Sequence, residues 1–190
     1  MKINYFNQAG ANGKYVFEQQ KLFKNSVKHK TGSKFISTFR VSLVKDRCVS
    51  FEETYLNNSK QAQPLIRKLI ETQGQPDREQ FCIILLNIKN KIIGLNIVST
   101  GCLTSAQVHP REVLKPAILS NCSSMILCHN HPSGNTTPSN EDLAITKKIV
   151  LASKIIGIQI HEHLIISMED ETYYSFADNG IMARIYDEID

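Results

Sequence analysis

The chain has 190 residues, of which 42% are hydrophobic, 7% aromatic and 21% charged. This length fits one compact domain with additional sequence, and the composition argues against the disordered and collagen-like classes. No apolar run approaches the roughly 20 residues of a membrane-spanning helix, and residues 1–6 show no secretory signal. The five cysteines are odd in number and form no C-x-x-C pair, so we expect a cytoplasmic protein with reduced thiols and no membrane partner.

The net charge of +4 is unevenly distributed. Residues 1–50 carry ten Lys/Arg against two acidic residues, whereas residues 51–190 carry twelve against sixteen. Residues 1–37 lack a sustained apolar period, which predicts a flexible basic arm. Aromatic residues interleave with these charges, as they do in nucleic-acid binders. Nucleic acid is therefore a predicted partner of the arm, although a solvated tail explains the same composition.

Residues 38–76 are predicted to form an N-terminal extension of one strand and one helix. Apolar and polar residues alternate over 39–44, which is typical of a strand. Apolar residues recur at helical spacing over 59–73, and Gly74 follows as a stop signal. A turn signal then marks the predicted boundary to a second unit, residues 77–190.

Residues 77–190 alternate between strand and helix patterns, which predicts the α/β (α+β) fold class. The predicted elements are strands at 81–88 and 92–98, a helix at 110–121, a strand at 124–129, a loop at 130–138, a helix at 140–156 and strands from 158 onwards. The predicted inward face of the long helix consists of Leu143, Ile145, Ile149, Ala152 and Ile156.

The stretch 129–142 carries the residues best suited to chemistry. His129 and His131 lie two residues apart at the end of a predicted strand, so their imidazoles project to one face. Asp142 falls in the first turn of the next helix. Two imidazoles and one carboxylate suit Zn²⁺ with a fourth position open to water, and they also match an Fe(II) facial triad. Ser139-x-x-Asp142 is equally a helix capping box, so a purely structural interpretation stays open here.

The pattern H-x-H-P followed by S-x-x-D, with ten residues between the second His and the Asp, resembles the JAMM motif of the JAB/MPN metalloprotease superfamily. Residues 109–113 and 129–139 resemble the RadC branch of this superfamily, and residues 77–86 resemble its lead-in. The resemblance covers about residues 77 to 180. It implies a JAB/MPN-like curved mixed β-sheet flanked by helices, with zinc at the edge of the sheet.

The resemblance also implies roles for particular residues. It implies three metal ligands: His129, His131 and Asp142. Ser139 is the implied helper in stabilising the tetrahedral intermediate. An upstream Glu is implied to act as general base, and Glu79, directly before an apolar strand, matches this role best. Glu112 is the alternative, although it is also favourably placed against a helix dipole.

The function implied by the resemblance is a zinc-dependent hydrolase of the JAMM type. Such an enzyme cleaves a peptide or isopeptide bond of a protein or peptide substrate through a zinc-activated water. The alternative is a DNA-associated repair or mobile-element protein, in which the zinc domain acts as a nuclease or as a non-catalytic scaffold. RadC-type chains often carry a helix-hairpin-helix segment, and residues 1–76 show no clear pair of helices around a glycine hairpin.

Two further features are predicted to be structural. His161 and His163 repeat the H-x-H spacing within a predicted strand, but no acid-bearing helix follows them, and we predict that His163 is hydrogen-bonded. Cys128 precedes His129 in the strand. Its side chain is therefore predicted to point to the opposite face and to pack in the core.

Overall fold

The computed structural model describes residues 40–52, 54–101 and 108–189. The predicted basic arm, residues 1–37, lies outside these ranges, and its contact with nucleic acid stays a prediction. Within the described ranges, no helix has the length and apolarity needed to cross a bilayer.

Five strands form one mixed sheet in the order β2-β1-β3-β4-β5, and helices flank it. The strands are β1 (Gln80–Leu86), β2 (Ile92–Thr100), β3 (Ser124–His131), β4 (Gln159–Ser167) and β5 (Tyr173–Ser175). The helices are α1 (Ser59–Gln73), α2 (Pro110–Leu119), α3 (Asn140–Ile155) and α4 (Ile181–Ile189). β3 pairs with β4 in parallel, and the other neighbouring strands are antiparallel. The predicted mixed sheet flanked by helices is confirmed.

Strand β1, which lies between β2 and β3, is buried along its whole length because both faces of the sheet are covered. Phe81 and Ile83 face a core built with α2, α3 and α4, and we call this side the α3 face. Cys82 and Ile84 face a second core built with α1, and we call this side the α1 face. Burying each large apolar side chain contributes about 1.5–3 kcal/mol. An apolar run without alternation is the pattern expected of a strand buried on both faces.

Helix α1 begins and ends where the sequence predicts. The Asn58 side chain caps it by accepting a hydrogen bond from the Gln61 amide at 3.0 Å, and the Gly74 amide closes the last turn on the Ile70 carbonyl. Its apolar stripe packs on the α1 face of the sheet. The helix assigned to the predicted extension therefore shares a core with the sheet.

The strand predicted over 39–44 is wrong for the residues that the structure describes. Residues 40–50 adopt neither helix nor strand, and Val41 and Val44 are 70% and 85% exposed. Alternation supplies an amphipathic ribbon, but a strand also needs a neighbouring strand to satisfy its backbone groups. Residues 40–50 have no such partner among the described strands.

Two predictions near the C-terminal end of the sequence are corrected. The strands predicted throughout the end of the chain give way to helix α4, whose buried residues Ile181, Met182 and Ile185 follow a helical period. The inward face predicted for α3 is partly wrong, because Ile156 is 43% exposed. The buried stripe of α3 contains the polar residue Thr146, which hydropathy assigns to the surface.

Candidate metal centre

The two histidines of the motif lie at the end of β3, which continues two residues beyond the predicted end at His129, so that His131 lies in the strand and not in the predicted loop. His129 is 1% exposed and His131 is partly exposed. Both side chains project to the α3 face, as the alternation predicts. Cys128 packs in the core of the α1 face, so its predicted orientation is confirmed.

The loop after β3 brings the first turn of α3, which carries Asp142, next to the two histidines. Ser139 is the N-cap of this helix, and the capping box is complete. The Asp142 amide donates to Ser139 Oγ at 3.1 Å, and the Ser139 amide and hydroxyl donate to Asp142 Oδ2 at 2.8 and 2.6 Å. The capping box and the metal-ligand interpretation are therefore compatible, because one carboxylate caps the helix and faces the histidines.

The three side chains converge on one point. The distance from His129 Nε2 to His131 Nε2 is 3.0 Å, and that from His129 Nε2 to Asp142 Oδ1 is 3.2 Å. His131 Nε2 lies 3.9 Å from Asp142 Oδ2, and one ligand atom from each residue lies within 4.8 Å of the others. Two imidazole nitrogens that share a tetrahedral zinc are about 3.3 Å apart, given zinc–nitrogen distances of about 2.0–2.1 Å. The arrangement fits a metal ion in both spacing and donor type.

The hydrogen bonding of His131 supports this fit. Its Nδ1 lies 2.5 Å from the carbonyl oxygen of Asn135. A carbonyl oxygen only accepts, so Nδ1 carries the hydrogen and Nε2 of the neutral ring presents a bare lone pair. That lone pair lies 3.9 Å from Asp142 Oδ2, which is also an acceptor, and a cation between the two atoms would satisfy both.

The electrostatics keep the acid ionised. Burial alone raises the pKa of Asp142, but the neighbouring His129 and the hydrogen bonds from Ser139 outweigh it and hold the pKa well below its usual range. Asp142 is therefore a carboxylate at neutral pH, which is the form that binds a metal.

His163 of β4, which was predicted to be structural, lies directly behind this site. His163 is fully buried, and its Nε2 lies 2.9 Å from His129 Nδ1. Its predicted hydrogen bonding is confirmed, but the link to a metal ligand was missed. Burial, and then the charge of His129, lower the pKa of His163 well below its ordinary value of 6.5. The repeated H-x-H spacing at 161–163 was the only signal in the sequence.

Glu79 directly precedes the end of β1 that pairs with the histidine-bearing end of β3. β1 and β3 are antiparallel, and the last paired residue of β1 at this end is Phe81, which lies opposite His129. The Glu79 carbonyl accepts a hydrogen bond from the Gly101 amide at 2.8 Å. Among the described residues, the cluster of ligand atoms consists of the two histidines and Asp142, so Glu79 is not part of it.

The alternative acid, Glu112, is occupied elsewhere. Its carboxylate lies 2.5 Å from Lys115 Nζ and 3.2 Å from Arg111 Nε, both on its own helix α2. The hydrogen bond to Lys115 lowers the pKa of Glu112, with a further contribution from Arg111. These contacts fit a solvated, helix-stabilising acid in the first turn of α2.

A mixed sheet that carries a His-x-His pair at one strand end and a carboxylate in the first turn of the following helix defines a JAB-type domain with a candidate metal site. A family model described as "RadC-like JAB domain" matches residues 56–181, and the chain belongs to this family. The match includes α1, which the sequence interpretation placed before the domain.

Curated bacterial proteins named UPF0758 are similar to this chain. The protein from Caldanaerobacter subterraneus subsp. tengcongensis is 45% identical over 118 residues, which is 59% of this chain and 51% of that protein. The protein from Clostridium acetobutylicum is 43% identical over 133 residues, 70% of this chain and 56% of that protein. The protein from Symbiobacterium thermophilum is 48% identical over 104 residues, 55% and 44% respectively. The matched regions thus span about half the length of these relatives.

Proposed function

We propose that this chain is a zinc-dependent hydrolase of the JAMM type, which cleaves a peptide or isopeptide bond. The observation that carries the proposal is the convergence of His129 Nε2, His131 Nε2 and a carboxylate oxygen of Asp142 within 4.8 Å of one another. Two neutral imidazoles and one carboxylate are the ligands of a catalytic zinc site that keeps an open position. The matched regions span about half the length of the relatives, and this proposal extends to the activity of a whole protein of that length.

The proposed chemistry divides among a metal and two side chains. Zinc, when bound, supplies Lewis acidity and lowers the pKa of a coordinated water to roughly 7. Glu79 accepts the proton of the attacking water and donates it to the leaving amine. Phe81 pairs with His129, so the start of β1 lies beside the histidines, and the position of Glu79 directly before β1 supports this role. The ion pairs of Glu112 argue against the alternative.

Ser139 is proposed to donate its hydroxyl hydrogen to the developing oxyanion. That hydrogen is engaged by Asp142 Oδ2 at 2.6 Å, and the oxygen accepts from the Asp142 amide. A hydroxyl has only one hydrogen. Ser139 would therefore help the transition state only if its hydroxyl turned away from Asp142 Oδ2.

The experiment compares Glu79→Gln with Glu112→Gln in the zinc-loaded protein. Each variant is incubated with a peptide library and a panel of isopeptide-linked conjugates, and new amino termini or released amines are quantified. Glu79→Gln should lower the rate by about 10²–10⁴-fold, the usual contribution of general acid–base catalysis, while it still binds zinc. Glu112→Gln should retain the wild-type rate. Equal rates for wild type and Glu79→Gln would remove Glu79 from the mechanism, and hydrolysis by a metal-free protein would contradict the proposal.

A further inference from the structure

A chain of buried hydrogen bonds runs from the metal centre into α3. His129 Nδ1 lies 2.9 Å from His163 Nε2, and His163 Nδ1 lies 2.6 Å from Thr146 Oγ1. The Thr146 hydroxyl in turn lies 2.5 Å from the carbonyl oxygen of Asp142. All three side chains are at most 1% exposed, so water does not compete for these contacts.

The hydrogen bond from Thr146 to the Asp142 carbonyl determines the direction of the other hydrogen bonds in this series. A backbone carbonyl only accepts, so the single hydroxyl hydrogen of Thr146 points to Asp142. Thr146 Oγ1 must then accept from His163, which places the hydrogen of that neutral ring on Nδ1. His163 Nε2 is left as an acceptor, and the hydrogen between the two rings belongs to His129 Nδ1.

We propose that His163 and Thr146 are positioning residues that hold His129 in the tautomer with its hydrogen on Nδ1. In this tautomer, the Nε2 lone pair of His129 is bare and faces Asp142 Oδ1 at 3.2 Å. The inference deepens the proposed function and rests on it, because a defined lone pair matters only where a metal binds. It adds two residues outside the ligand set, one on β4 and one on α3.

The two histidines of the site are then oriented by the same principle. His131 donates from Nδ1 to the Asn135 carbonyl, and His129 donates from Nδ1 to His163. Both Nε2 atoms consequently present lone pairs 3.0 Å apart. Partners that orient a metal-ligating histidine through its other nitrogen typically contribute 10–100-fold in metal affinity.

The role of Thr146, at the α3 end of this series of hydrogen bonds, can be tested with a nearly isosteric substitution. Thr146→Val removes the hydroxyl and preserves the branched shape, whereas Thr146→Ser preserves the hydroxyl. Without the hydroxyl, His163 loses the acceptor that fixed its tautomer, and His129 is free to place its hydrogen on Nε2. Ser153→Ala serves as the matched control, because Ser153 is another fully buried hydroxyl of α3 and donates only to the Val150 carbonyl.

Zinc affinity is measured for the purified full chain by competition with a chromophoric chelator, and unfolding of the metal-free variants is followed in parallel. Thr146→Val should bind zinc about 10–100-fold more weakly than wild type. Thr146→Ser and Ser153→Ala should stay within about threefold, below the range typical of such partners. Wild-type affinity in Thr146→Val, or an equal loss in Ser153→Ala, would overturn the proposal.

The tautomers are read directly by ¹⁵N NMR of the metal-free wild type at about pH 8, above the ordinary histidine pKa of about 6.5. The expected result is hydrogen on Nδ1 of both His129 and His163, and hydrogen on Nε2 of His129 would overturn the proposal even if Thr146→Val failed to fold. If the wild type shows the expected tautomers but binds no zinc, the proposed function is contradicted and the roles of His163 and Thr146 in fixing the tautomer stand. If the wild type binds zinc but shows the opposite tautomer of His129, the roles of His163 and Thr146 are contradicted and the proposed function stands.

Discussion

Glu162 and His163 are neighbours on β4, yet their side chains support opposite faces of the sheet. The Glu162 carboxylate accepts hydrogen bonds from the hydroxyls of Ser59 and Ser175, both at 2.5 Å. The His163 ring contacts His129 on the α3 face at 2.9 Å. One dipeptide therefore joins α1 to the sheet on one side and supports the candidate metal centre on the other.

Glu162 is predicted to stabilise the fold rather than to take part in chemistry. Oε2 accepts from these two hydroxyls, and Oε1 accepts from the amides of His163 and Ala177 at 2.8 and 2.9 Å, so Glu162→Gln puts an NH₂ donor in place of an oxygen that accepts two hydrogen bonds. We expect a loss of about 2–3 kcal/mol in the free energy of unfolding, because buried donors lose an acceptor. Ser59→Ala, which removes one donor to the same carboxylate, should cost about 1 kcal/mol. Denaturant unfolding measures both changes in stability, and equal stability of Glu162→Gln and wild type would refute this stabilising role of Glu162.

Gly134 is predicted to maintain the conformation of the loop between β3 and α3, and a residue with a side chain at this position is predicted to disturb that conformation. Its φ is +74°, and a Cβ there would lie 2.6 Å from Glu169 Oε2. Glu169 is exposed and can move aside, but the left-handed backbone still disfavours a residue with a Cβ. Gly134→Ala should therefore shift the adjacent Asn135 carbonyl, which orients His131, and should weaken zinc binding as well as stability. Gly157→Ala is the matched control, since its φ is +76° and a Cβ there meets nothing within 4 Å.

The control should lose about 1–2 kcal/mol from the left-handed backbone alone and keep its zinc affinity. If the two glycine variants bind zinc equally well, the backbone conformation at Gly134 has no influence on the site.

The buried neutral ring of His163 predicts a pH dependence of stability in the metal-free protein. Its pKa is well below the ordinary value of 6.5 in the folded state. The unfolded chain therefore takes up a proton below about pH 6.5 that the folded chain does not, so stability present above this pH is lost as the pH falls. One such group contributes a slope of about 1.4 kcal/mol per pH unit.

Unfolding of wild type and His163→Gln between about pH 8 and 5, with a chelator present, isolates this contribution. The wild type should lose stability more steeply below about pH 6.5, and Gln has no titrating group. Asp142 does not interfere, since its lowered pKa moves its titration to more acidic solution. Identical slopes for the two proteins would show that His163 titrates normally in the folded state.

The sequence was informative where local rules determine the structure. Strand alternation was enough to place His129 and His131 on one face, and the capping box was enough to place Asp142 at the start of α3. These rules act within a few residues of the chain. The ligand set of the candidate site was therefore predictable without tertiary information.

The support behind the ligands depends on tertiary irregularity. A register shift between β3 and β4 at Met125/Ile126 inserts an extra residue in β4, so that Ile160 and His163 both belong to the α3 side although three positions separate them. Simple alternation assigns them to opposite faces. Thr146 was missed for a related reason, because its hydroxyl is satisfied within the core and hydropathy alone counts it as a surface residue.

Zinc binding by the candidate site is measured most directly by titrating the metal-free chain and counting bound metal by native mass spectrometry. We predict one zinc per chain for the wild type and for Glu141→Gln, which changes an exposed acid next to the site. Asp142→Asn keeps a side-chain acceptor for the helix cap but loses the charged ligand, and it should bind at least about 100-fold more weakly, since metal ligands must be deprotonated. A wild type that binds no zinc, or an Asp142→Asn variant that binds it as tightly as wild type, would contradict the account.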